Sequence, residues 1–166
     1  QWAPDFRNAI VQQWNLSVQQ QVAGDYLLTL AYVGSKGNHL FMMNEWNPGV
    51  YGASGSTLDQ RRPWFPSYAG VSTQTSEGNS TYHAFQATLR KRLSHGVTVL
   101  ANYSFGKLLD NASSDSDLPA NPFDLTNEKG RSDLDITQRV VTAFGWQLPG
   151  FAGRGPLVRS TFGSWE

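Results

Sequence analysis

The chain has 166 residues, 13 basic against 13 acidic side chains, no cysteine and a mean hydropathy of −0.42. Zero formal charge removes the usual electrostatic argument for nucleic acid or an anionic surface, and the missing thiols exclude disulfide, zinc-knuckle and thiol chemistry. Asn8 to Gly24, the longest uncharged stretch, holds eight Asn, Gln or Ser among 17 residues and is too polar for a helical membrane span. The opening Gln1 to Asn8 lacks the basic-then-apolar layout of a signal peptide. Length and hydropathy alone read as one soluble domain.

Taken in chain order, the residues show period two rather than a helical period, in stretches rich in β-branched and aromatic side chains. In the first, Trp14, Leu16 and Val18 alternate with Gln13, Asn15, Ser17 and Gln19. In the second, Tyr26, Leu28, Leu30 and Tyr32 share a face. The third, about Thr81 to Leu93, sets Phe85, Ala87, Leu89 and Leu93 against Tyr82, Gln86, Thr88 and Arg90. The fourth sets Val97, Val99, Ala101, Tyr103 and Phe105 against Thr98, Asn102 and Ser104. The fifth sets Leu134, Ile136, Val140, Phe144, Trp146 and Leu148 against Asp133, Asp135, Thr137, Arg139 and Gln147, and a sixth is expected to begin near Leu157.

The connections between these stretches alternate in length. Ala23-Gly24-Asp25, Ser94-His95-Gly96 and the segment from Pro149 to Pro156 are short, whereas the links 35–80 and 108–131 are long. Short turns on one rim and long loops on the other, joined by strands that are apolar on one face, are the pattern of a transmembrane β-barrel. Its apolar face meets lipid and its polar face meets a lumen, so a low mean hydropathy is compatible with a membrane. Tyr26 and Trp146 near the short turns, with Tyr32, Tyr103 and Phe105 near the loops, form the two expected interfacial girdles. Lys91 faces lipid in this reading, three residues from the Ser94 turn, where its ammonium is able to snorkel out.

Ordered motifs sharpen the picture. They are Gln13-Trp14-Asn15-Leu16-Ser17-Val18-Gln19, Tyr32-Val33-Gly34-Ser35-Lys36-Gly37, Asn47-Pro48, Arg61-Arg62-Pro63, and Gly78-Asn79-Ser80-Thr81-Tyr82 leading to Arg92-Leu93-Ser94-His95-Gly96. Tyr103-Ser104 leading to Lys107, Asn121-Pro122-Phe123-Asp124 and Arg131-Ser132-Asp133-Leu134-Asp135 follow. Together they resemble the barrel of the TonB-dependent outer-membrane receptors, specifically the Oar-like subgroup with a carboxypeptidase-regulatory-like amino-terminal domain. The resemblance implies a barrel of about 22 strands with a plugged lumen, in the bacterial outer membrane.

The expected fold is therefore all-β: an antiparallel up-and-down meander, an open and curved five- to six-stranded section of a large transmembrane barrel. Five or six strands cannot close such a barrel, so residues 1–166 are read as a partial barrel domain, a wall section without plug, TonB-contacting segment or closing strands. The resemblance implies capture of an extracellular ligand by the loops for uptake. Implied partners are the rest of the barrel and its plug, TonB through an amino-terminal region, and the surrounding lipid and lipopolysaccharide. Two alternatives are a passive structural or adhesive barrel and a soluble β-sandwich binding module.

Candidate contact residues fall into two groups. Trp46, Tyr51, Trp64 and Tyr68, with Phe65, are aromatic residues in a Gly-, Pro- and Ser-rich link; they suit stacking on a sugar, gripping a peptide, or packing the loop as a lid. Asp133, Asp135 and Arg139 are read on the inward face of the fifth strand, as lumenal charges that pair with neighbouring strands or the plug. Seven of the 13 acids lie between Asp110 and Asp135, either attracting cations or keeping the loop soluble; the run from Asp110 to Asp117 lacks EF-hand spacing. His39, His83 and His95 have no metal-ligand spacing, and neither GxSxG, HExxH nor a P-loop occurs. No cofactor, metal or catalysis is expected, and no nucleic-acid partner.

Overall fold

The computed structural model describes residues 3–52, 55–94 and 96–147. It contains β1 (Ile10–Ala23), β2 (Tyr26–Glu45), β3 (Ser72–Ser94), β4 (Val97–Asp110), β5 (Gly130–Arg131) and β6 (Gln138–Trp146), with one short 3-10 turn at Asp59–Arg61. The strands form one antiparallel sheet in the order β1-β2-β3-β4-β5, with β6 also paired to β4. Along β4 the register runs from Val97 opposite Trp146 to Phe105 opposite Gln138, and then from Leu109 opposite Arg131 to Asp110 opposite Gly130. This is the expected meander. Among the described residues the strands form this one sheet.

Several boundaries differ from the sequence reading. The first long connection is 46–71 rather than 35–80, because β2 continues to Glu45 and β3 begins at Ser72. Residues 72–80 carry small and polar side chains on both faces, and in 35–45 the apolar residues Leu40 to Met43 are consecutive, so neither stretch shows period two although their backbones pair. The second connection spans 111–137, with β5 within it, and the strand expected from Asp133 begins at Gln138. The strand expected near Leu157 and the turn from Pro149 to Pro156 lie outside the described residues.

The described residues fall into two compact units. A loop unit takes 3–14, 34–83 and 106–136; a band unit takes 15–33, 84–105 and 137–147. In the band unit the apolar sets are exposed: Leu16, Val18 and Val22 on β1, Tyr26, Leu30 and Tyr32 on β2, Phe85, Leu89 and Leu93 on β3, and Val140, Phe144 and Trp146 on β6. Ala84 is the one buried apolar residue among this unit's described residues. Water would penalise that arrangement at roughly 25 cal/mol per Å² of apolar surface left uncovered, whereas lipid removes the penalty.

The short turns keep this unit's strands in register. Gly96 sits at φ 75°, a left-handed conformation that side chains disfavour, and its carbonyl accepts the Gln147 amide at 2.7 Å. Lys91 reaches the turn as expected. Its Nζ donates to the Ser94 carbonyl (3.1 Å), Ser94 Oγ (2.7 Å) and the Val97 carbonyl (3.1 Å), and lies 5.9 Å from the Tyr26 ring centroid. The apolar face therefore carries a cation whose donors are occupied.

In the loop unit, Trp14 lies across Gly34 to meet the His83 ring at 6.1 Å between centroids. A Cβ at Gly34 would overlap the indole, so a glycine is required there. His39, at φ 56°, interrupts the alternation of β2: Tyr26, Leu30 and Tyr32 are exposed before it, Phe41 after it, and Met42 and Asn44 are buried. One residue in the left-handed region adds a step to the strand and exchanges its faces, as a β-bulge does.

Candidate functional site

The loop unit has a polar interior. Its buried polar residues are Asn44, Asn47, Thr75, Ser76, Asp110 and Ser132, against Ala3 and Met42 as buried apolar ones. A chain segment folded without an apolar core has to satisfy its backbone through side chains, and the 46–71 loop does this around Asn47. The Asn47 amide nitrogen donates to the carbonyls of Ala69 (2.6 Å) and Tyr68 (3.3 Å), and its Oδ1 accepts the Trp64 amide at 3.1 Å. Arg62 donates to the Asn47 carbonyl and pairs with Glu45 at 3.3 Å and Asp59 at 3.0 Å. Glu45 Oε1 in turn accepts the amides of Asn47 (2.8 Å) and Val71 (2.7 Å), which joins the two ends of the loop at the strand edge.

Burial pushes the Glu45 carboxyl up, but the amides of Asn47 and Val71 and the Arg62 guanidinium outweigh it and hold the group below its ordinary value of 4.5. This Glu45-Asn47-Arg62 hub was not singled out as a site from the sequence. Its only trace there was the pair of motifs Asn47-Pro48 and Arg61-Arg62-Pro63, while Glu45 gave no signal at all.

Around the hub the aromatic candidates separate. Trp64 and Tyr68 come together edge to face, with ring centroids 6.5 Å apart and planes at 76°, and the Tyr68 amide donates to the Trp64 carbonyl at 2.9 Å. With Pro63, Phe65 and Ser67 they line a recess that contains no charged side chain. Tyr51 is almost fully exposed. Trp46 turns away from them: its Nε1 donates to Thr73 Oγ1 at 2.6 Å and its amide to the Val71 carbonyl, so it closes the loop base.

The second long connection is held by its own acids. Ser113 Oγ donates to buried Asp110, and Asp117 Oδ2 accepts the amides of Ser113 (2.9 Å) and Ser114 (2.8 Å). Asn44 donates to the Pro122 carbonyl at 3.2 Å, which ties this connection to β2. Thr126 holds the exposed Asp124 carboxyl below its ordinary value by donating its hydroxyl and amide.

The expected inward row of Asp133, Asp135 and Arg139 is not a row. Asp133 and Asp135 precede β6, and Arg139 lies in the band unit on β6, opposite Ser104. The Asp135 side chain is buried and accepts the Leu108 amide and Arg131 Nε, both at 2.6 Å, whereas Asp133 is exposed and donates its amide to Ser113 Oγ. The Asp135 carboxylate thus bonds to the β4 backbone from within the segment that precedes β6.

A single antiparallel sheet with an apolar outer face, tight turns between its strands at one end and structured long loops at the other defines the wall of a membrane β-barrel. The chain belongs to the outer membrane beta barrel domain family, whose model matches residues 1–166, and its place is the bacterial outer membrane. Neither a curated protein nor a solved structure matches it.

Proposed function

We propose that this chain forms part of the barrel of a TonB-dependent outer-membrane receptor of the Oar-like type, whose extracellular loops capture a ligand for uptake. The observation that supports the reading best is the Asn47 hub. It gives a long loop a defined fold and leaves Trp64, Phe65 and Tyr68 at its surface, where a mere linker would need neither. The ordered motifs that resemble the Oar-like barrels support the same reading. In this reading the chain has no catalytic role, because the loop carboxylates hold backbone amides and hydroxyls rather than facing one another across a cleft.

Co-purification of the full-length protein with an isolated TonB carboxy-terminal domain tests the proposal. A stable one-to-one complex is expected, and failure to form one would favour a passive barrel.

A further inference from the structure

A second recess of the loop unit is polar and about 530 Å³ in volume, a size that takes a small solute. The segment before β1, the middle of β2 and the first half of β3 meet there. The Ala3 amide donates to the Gln74 carbonyl and the Arg7 amide to buried Ser76 Oγ, both at 3.0 Å, so the segment before β1 is fixed against β3. With His39 in the left-handed conformation, it and Asn38 both reach the recess although they are consecutive on β2. On β3, Ser76 and Glu77 line it as a buried and an exposed neighbour.

The polar side chains of this recess are free. Elsewhere in the loop unit Glu45, Asn47, Asn111 and Asp117 bond to the chain's own backbone. Here Asp5, Arg7, Gln12, Asn38, His39 and Glu77 line one cavity, and among the described residues none of their side chains has a hydrogen-bond or ion-pair partner. One guanidinium and two carboxylates thus share the recess without neutralising one another. A simple anion would meet two like charges, and a simple cation would meet the guanidinium. Nor do the carboxylates and His39 suit a metal, because among the described residues no three His, Asp or Glu are grouped to hold one. The solute that satisfies the whole set carries both signs, placed apart. The amides of Gln12 and Asn38 each add a donor and an acceptor, which is what a peptide group requires.

We propose that this recess binds short peptides in their free, zwitterionic form, with the carboxyl end on Arg7 and the amino end on Asp5 and Glu77. The inference stands apart from the TonB reading, since a passive barrel would carry the same recess.

Isothermal titration of the full-length protein in detergent tests it, with trialanine as the probe. Its N-acetyl form, its carboxy-terminal amide, alanine and maltose are the comparators. Trialanine should bind saturably, and either cap should weaken it about tenfold or more, because each removes a charge-assisted hydrogen bond. Arg7→Gln, which keeps the backbone bond to Ser76, should bind trialanine and its amide equally while still rejecting the N-acetyl form. The double variant Asp5→Asn/Glu77→Gln should show the reverse. Absence of saturable binding, equal affinity for capped and free trialanine, or tighter binding of alanine or maltose overturns the proposal. The cap comparison is made on the unmodified protein, so it decides the matter even where a variant fails to assemble.

Discussion

The two units of this chain invert each other. In the band unit the apolar side chains are outside, with Ala84 the one buried apolar residue among those described; in the loop unit the buried residues are mainly Asn, Thr, Ser and Asp. Neither resembles a water-soluble domain, and for different reasons. The band unit relies on lipid to remove the cost of its exposed Leu, Val, Phe and Trp side chains, and on strand pairing to satisfy its backbone. The loop unit stands in water without a large apolar core and is held by side-chain-to-backbone hydrogen bonds, each contributing about 1 kcal/mol net but costing more when a buried partner is left unmade.

The largest expected effect breaks the band unit. Val18→Arg puts a charge on its lipid face and should destabilise folding of the full-length protein into vesicles by about 2–4 kcal/mol, while Gln19→Arg, one residue along and on the other face, should change it little. Equal effects at the two positions would mean that the faces are wrongly assigned. The next effect belongs to the loop unit. Asn47→Ala leaves the Trp64 amide and the Tyr68 and Ala69 carbonyls without their partner and should cost about 2 kcal/mol locally. Limited proteolysis within 46–71 should become roughly 30-fold faster, with the vesicle-folding energy of the strands unchanged.

A smaller effect follows pH. The Glu45 carboxyl is held below its ordinary value of 4.5, so its contribution is complete above that pH and is lost as pH falls through the lowered value. Proteolysis of 46–71 should therefore accelerate on acidification below 4.5 and not above it, and Glu45→Gln should remove that dependence. The mildest substitutions, Ser56→Cys and Asp25→Cys, should alter stability by less than about 0.5 kcal/mol. They should nevertheless label from opposite sides of the outer membrane, Ser56→Cys from outside and Asp25→Cys from the periplasm. Asp25 is preferable to Gly96 for this purpose, because a cysteine at φ 75° would be strained.

Legibility in the sequence followed the same division. Wherever one face meets lipid, the demand for apolar side chains at every second position writes the strand into the sequence, and the apolar sets of β1, β3, β4 and β6 could be read residue by residue. That demand ends with the bilayer. The outer halves of β2 and β3 pair too, yet both read as loop: Ser35 to Glu45 because its apolar residues Leu40 to Met43 run consecutively past the bulge at His39, and Ser72 to Ser80 because its side chains are small and polar on both faces. The site was harder still. Trp46, Trp64 and Tyr68 are all exposed aromatics, but only the hydrogen bond from Trp46 to Thr73 separates it from the other two, and counting in twos aligns Asp133, Asp135 and Arg139 through a segment that is not a strand. Hydrogen bonds such as those of Asn47 join residues 17 to 22 positions apart and leave no period to count.

The left-handed residue at His39 also sets the phase of everything that follows it on β2. Upstream, even-numbered side chains face outward; downstream, Asn44 faces inward to hold Pro122, and Glu45 is placed to close the first loop. Deleting His39 itself would take out the added step and the bulge together and leave both loop anchors on their faces, whereas deleting an extended neighbour such as Lys36, with the bulge kept, would move them to the opposite face. The outer half of β2 thus behaves as a reading frame kept in phase by one added residue: a change in length by one is absorbed at that residue and not beside it.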